Sequence, residues 1–146
     1  MKRSELNEKI LVLLSVTLLL AVTVMGCGKY EPKLSELGVQ YVSKNHTNED
    51  GSFPGITVKS VTKEGDNIII QTETPFDQIQ YALNNFLAFQ TVNEKGNTNN
   101  KVNAKIENKN DMGEIIVTGE GVKDAKYIQV IPYKNKDNQT LEFEIK

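Results

Sequence analysis

From residue 39 onward the chain alternates. Leu141, Phe143 and Ile145 alternate with Glu142, Glu144 and Lys146, and Val102, Ala104 and Ile106 with Asn103 and Lys105. Period two puts the apolar members on one face of a strand and the polar ones on the other. Residues 126–133 alternate Ile128 and Val130 against Gln129, with Pro132 near the strand end, where a missing N–H is tolerated. The β-branched runs at 67–73 and 114–119 suit buried strands. Turn-forming residues separate them: Glu64–Asn67, Glu94–Asn97, Asn110–Gly113 and Lys134–Asn138. Glycine and asparagine belong in such turns because they tolerate positive φ. The spacing predicts a mainly β domain over 39–146, an antiparallel β-sandwich of about 7–8 strands.

Residues 74–85 break the alternation. Thr74 stands where an N-cap would be, Pro75 at a first helical position and Asp77 in the first turn. Phe76, Ile79, Leu83, Phe86 and Leu87 fall at helical spacing, although Ile79, Tyr81 and Leu83 also alternate as in a strand. The caps favour one short helix near residues 75–84, crossing between the sheets.

The N-terminus follows a third pattern. Lys2, Arg3 and Lys9 outweigh Glu5 and Glu8, and Ile10 to Met25 then runs without a charge. An export signal has a positive start and an apolar segment of roughly 7–15 residues, whereas a spanning helix needs about 20. Cys27, the only cysteine among 146 residues, follows at once. Val24-Met25-Gly26-Cys27 resembles the lipobox of bacterial lipoproteins. The resemblance implies a diacylglyceryl group on Cys27 and cleavage between Gly26 and Cys27. Two acyl chains hold a protein firmly at a bilayer. The division expected is a signal peptide at 1–26, a lipid-anchored tether at 27–38 interrupted by Pro32, and the sandwich at 39–146. The location expected is the outer face of a cell membrane.

Composition narrows the chemistry. Beyond Gly26 there are 14 lysines and no arginine against 17 acidic residues, a formal charge of −3. No basic stripe suggests nucleic acid, and without a second cysteine there is no disulfide and no thiolate metal site. His46, the only histidine, lies among Asn, Asp and Gly, poor support for a catalytic triad. Residues 48–51 and 108–113 only loosely match a calcium loop, lacking acidic or amide residues at positions 1, 3 and 5 before the glycine. No catalytic, cofactor-binding or metal-ligating residues are assigned. Seven asparagines between 93 and 110 fit turns or a polar surface. Tyr41, Phe89, Tyr127 and Phe143 read as core or strand-face residues.

A second resemblance rests on residues 55–74, on 93–97 and on 125–146. These are similar to the immunoglobulin-like domains found outside the membrane in Gram-positive bacteria, most of all the one appended to anti-sigma-factor-like membrane proteins. That implies an immunoglobulin-like sandwich and a Gram-positive envelope, and it transfers no catalytic residue. The expectation is a non-catalytic binding or accessory module for another envelope protein, acting through a sheet face, a loop end or a sheet edge. The alternatives are a small-ligand sensor or solute-binding module, which predicts a concave polar pocket, and a hydrolase, which predicts a cleft with neighbouring carboxylates.

Overall fold

The computed structural model describes residues 28–41, 55–132 and 140–146. Contacts divide the chain between Tyr30 and Glu31. The second unit, Glu31–Lys146, holds every strand named below.

Among the described residues, nine strands form two antiparallel sheets. In chain order they are β1 (Gln40–Tyr41), β2 (Ile56–Glu64), β3 (Asn67–Pro75), β4 (Leu87–Val92), β5 (Thr98–Asn99), β6 (Asn103–Lys109), β7 (Met112–Thr118), β8 (Tyr127–Pro132) and β9 (Leu141–Glu144). One sheet runs β1-β2-β3-β7-β6 and the other β5-β4-β8-β9. With β2 as strand A, these are the A-B-E-D and C′-C-F-G orders of an immunoglobulin-type sandwich. The expected β-sandwich is therefore present, with the two-residue strands β1 and β5 added.

The alternation places the core between the sheets. Val61, Ile70, Ile115 and Ile106 stand in register across β2, β3, β7 and β6. Across the gap, Phe89, Val130 and Leu141 form one inward row, and Thr91, Ile128 and Phe143 the next. All the apolar members except the partly buried Ile106 belong to one buried cluster, and Ile106 packs against it. Thr91, the polar member, donates its hydroxyl to the Gly121 carbonyl at 2.6 Å, so its burial leaves that oxygen satisfied.

The helix expected near 75–84 is α1, Phe76–Asn85, and it carries the chain from β3 in one sheet to β4 in the other. Helical spacing prevails over alternation: Ile79 and Ala82 are buried, while Tyr81 is exposed and meets Phe86 edge-on at 5.5 Å. The cap differs from the sequence expectation. Pro75 occupies the N-cap position, and no side chain caps the helix. Thr74 stays in β3, where its hydroxyl oxygen accepts the Thr57 N–H at 3.0 Å. A cross-strand donor competes for that oxygen and wins it.

The glycine of Asn110–Gly113 also departs from expectation. The turn uses Asn110 (φ 51°) and Asp111 (φ 69°), the two positive values of a two-residue hairpin. Gly113 lies inside β7 and is buried, with Ile79 seated directly over its Cα.

The last residues of the expected tether join the sandwich. Ser35 donates its N–H to the Glu142 carbonyl at 2.8 Å and accepts the Glu142 N–H on its hydroxyl at 3.2 Å. Gly38 donates to Val58 O at 2.8 Å, and the Tyr41 hydroxyl accepts the Glu36 N–H at 2.6 Å. Residues 35–41 thus strap the β9 edge of one sheet to the β2 edge of the other. Lys146 completes the lacing, exchanging backbone hydrogen bonds with Val61 and Lys63.

Candidate functional site

Two irregularities in strand pairing build one concavity. In β2, Val58 pairs with Thr72 and Ser60 with Gln71, which leaves Lys59 without an opposite residue. In β3, Gln71 pairs with Glu114 and Pro75 with Met112, so Thr72–Thr74 face Gly113 alone. Bulges of this kind bend a strand and re-aim its side chains. Thr72 pins the bend, its hydroxyl donating to the Gly113 carbonyl at 2.5 Å.

The result is a cavity of about 320 Å³ lined by Lys59, Gln71, Thr72, Glu73, Lys109, Asn110, Met112, Gly113 and Glu114. Ile70 and Ile115 point into the core, so Gln71 and Glu114, one step along, project from the outer face of the five-stranded sheet. The Glu114 side chain is only 8% exposed, and the Lys109 ammonium lies 3.6 Å from its carboxylate. Opposite Glu114 on β6 stands Glu107, held by Lys105 at 3.0 Å. Each carboxylate is thus matched by a lysine of its own.

The lining can hold a small molecule carrying both charges. Lys59 and Lys109 supply cations, Glu73 and Glu114 anions, and Gln71, Asn110 and Thr72 neutral hydrogen-bonding groups. A second concavity of about 160 Å³ lies between Asn93, Asn97, Asn99, Glu120 and Asp124. Two of its asparagines serve the backbone. Asn93 Oδ1 accepts the N–H groups of Lys95 and Asn97 at 3.0 and 2.9 Å, and Asn99 Oδ1 accepts that of Lys101 at 2.9 Å. Turn chemistry accounts for these members of the asparagine-rich stretch.

Cys27, Gly26, His46 and residues 48–51 and 134–138 lie outside the described residues. Residues 108–113 form the β6–β7 hairpin, where Asn108 Oδ1 accepts the Asp111 N–H at 2.9 Å. Tyr41 packs against the core, Phe89 and Phe143 are inside it, and Tyr127 is half-buried on β8. Among the described residues, no group of three or more His, Cys, Asp or Glu side chains is placed to hold a metal ion. Among them too, no helix is long and apolar enough to cross a membrane.

Sequence reasoning did not single out Glu114, Lys59 or Thr72. Glu114 shares the outer face of β7 with Ile116, an apolar residue there being a weak sign that this face is partly covered. Nothing in the order of residues marks the bulges that gather the three. Set beside protein-family models, curated proteins and solved structures, the chain matches none of them.

Proposed function

We propose that the chain is an exported lipoprotein, cut before Cys27 and held by a lipid there at the outer face of a cell membrane. Its sandwich serves as a non-catalytic binding or accessory module of the envelope. The observation that carries the location is the charge-free run from Ile10 ending in Val24-Met25-Gly26-Cys27. The strap sharpens the geometry of this reading. Because the chain is bonded to β9 by Ser35, the eight residue steps from Cys27 span at most about 28 Å. The sandwich would therefore work close to the lipid headgroups. A binding role is supported by the edges. The protein's own terminal segments lace the β9 and β2 edges, whereas β6 is a long edge strand with no partner beyond it among the described residues. A free edge can accept a strand.

The deciding experiment is the mass of the N-terminal peptide of the full chain purified from membranes of a Gram-positive host. The expected peptide begins at Cys27 and carries a diacylglyceryl group, and Cys27→Ala releases the protein from the membrane fraction. A chain that begins at Met1 with an unmodified thiol overturns the reading.

The cavity at Lys59 and Glu114 favours a second reading, a solute-binding module for a small zwitterion. Free amino acids added to the full chain in detergent should then shift the amide resonances of Thr72 and Gly113. Glu114→Gln should weaken the binding at least about tenfold, because a charged hydrogen bond is lost in a buried setting. Shifts that are equal in the variant, or absent from both proteins, reject this reading.

A further inference from the structure

We infer that β6 pairs with β6 of a second copy, so that two sandwiches join through one continuous sheet. This rests on the reading of β6 as the binding edge.

Hairpin geometry decides which backbone groups are free. Asn110 and Asp111 form a two-residue turn, so the flanking pair Lys109 and Met112 is hydrogen-bonded. Alternation then makes Glu107 and Lys105 hydrogen-bonded to Glu114 and Ile116 on β7, and turns the N–H and C=O groups of Ala104, Ile106 and Asn108 outward. An antiparallel pair centred on Ile106 sets Ile106 against its copy and Ala104 against Asn108. All three outward residues find partners, through about six backbone hydrogen bonds.

Charge selects this register. Centred on Ile106, Lys105 of each copy stands opposite Glu107 of the other, in the non-hydrogen-bonded positions where side chains approach most closely. Centring on Lys105 would oppose two lysines, and centring on Glu107 two glutamates. Both side chains are well exposed, at 63% and 47%, and so are open to a partner. Charged residues on an edge strand deter indiscriminate pairing. Here their order deters the neighbouring registers and admits one, and the single patch meets itself, as a two-fold interface requires.

The test uses full chains in membranes. Lys105→Cys and Glu107→Cys chains, differently tagged, are co-expressed and mildly oxidised. Opposite positions lie within disulfide range, because non-hydrogen-bonded Cα atoms are about 4.5 Å apart. The expected result is a disulfide joining the two tags, absent from the parent chain, whose only cysteine is Cys27, and from a Thr62→Cys pair on β2. In a second pair of chains that keep Lys105 and Glu107, with Asn103→Cys on one and Lys109→Cys on the other, the same register predicts a 103–109 cross-link. Reversing one charge, by Lys105→Glu in both copies, should lower the 103–109 cross-link roughly tenfold, and adding Glu107→Lys should restore it. Failure of the 105–107 disulfide, or failure of the double reversal to restore the 103–109 link, overturns the pairing. A short bismaleimide applied to the same membranes separates two kinds of failure. If Lys105→Cys is captured by a different protein, the second copy is the wrong partner but β6 still binds. If it is captured by nothing, the reading of β6 as a binding edge falls as well.

Discussion

Gly113→Val is expected to destabilise the domain by about 3 kcal/mol, the range in which overpacking a filled site displaces its neighbours. A Cβ at residue 113 would overlap the Ile79 side chain of α1, and Ile79 is fully buried. Neither side can yield easily. The Gly113 carbonyl is held by the Thr72 hydroxyl, and α1 is tied to the hairpin because Phe76 donates its N–H to Asp111 O at 2.9 Å. In a domain of this size such a loss lowers Tm by about 10–15 °C. Calorimetry and urea unfolding would measure it. Gly65→Ala is the control. Gly65 has φ 61° with nothing within 4 Å of a Cβ, so it should lose only about 1–2 kcal/mol, through the left-handed backbone alone. Shortening Ile79 to alanine in the Gly113→Val protein should recover part of the loss, a coupling that separates a clash from a general weakening of β7. Equal losses for Gly113→Val and Gly65→Ala would mean that the helix does not rest on β7.

Phe143→Ala should cost about 3–5 kcal/mol, a large share of the roughly 5–15 kcal/mol that holds a domain of this kind together. Among the described residues Phe143 is the largest of the fully buried side chains, and it stands on β9 in the inward row with Ile128 and Thr91. Removing its ring leaves a void between the sheets that the Thr91 and Ile128 side chains are too short to fill. No disulfide can offset the loss, because Cys27 is the only cysteine. Glu144→Ala, one residue along the same strand, removes only a half-exposed ion pair with Lys126 at 3.2 Å, so its effect should stay below about 1 kcal/mol. Chemical denaturation of both variants checks the contrast. A Phe143→Ala protein as stable as Glu144→Ala would place the ring outside the core.

Sequence patterning was most informative where one face of a strand meets the core. Leu141, Phe143 and Ile145 are buried as their alternation with charged residues requires, and Ile68, Ile69 and Ile70 of the central strand β3 are all buried, as an unbroken β-branched run suggests. The same rule misleads at Glu142, which is 5% exposed although it alternates with the core residues. Strand periodicity assigns a face but does not say what lies over it, and the strap bonded at Ser35 belongs to a distant part of the chain.

The candidate site was far less legible. Lys59, Thr72 and Glu114 come from three strands, and two register shifts, each the outcome of pairing, bring them to one concavity. The charge order Lys105-Ile106-Glu107 is plain in the sequence, but its meaning needs to be known together with the position of β6 at a sheet edge.

Local chemistry and periodicity thus marked the long strands, the turns near 64–67, 94–97 and 110–111, the helix crossing between the sheets and the expectation of an anchor at Cys27. Each depends on residues within about ten positions of one another, where a repeat of two or 3.6 carries the information. Tertiary structure alone decided that Gly113 is a seat for Ile79 rather than a turn residue. It also decided that Thr74 bonds to Thr57 instead of capping α1, that residues 35–41 strap two edges, and that β6 has no strand beyond it among the described residues. These outcomes depend on which distant backbone groups and side chains compete for the same space and the same hydrogen bonds, and that competition exists only once the sheets have formed.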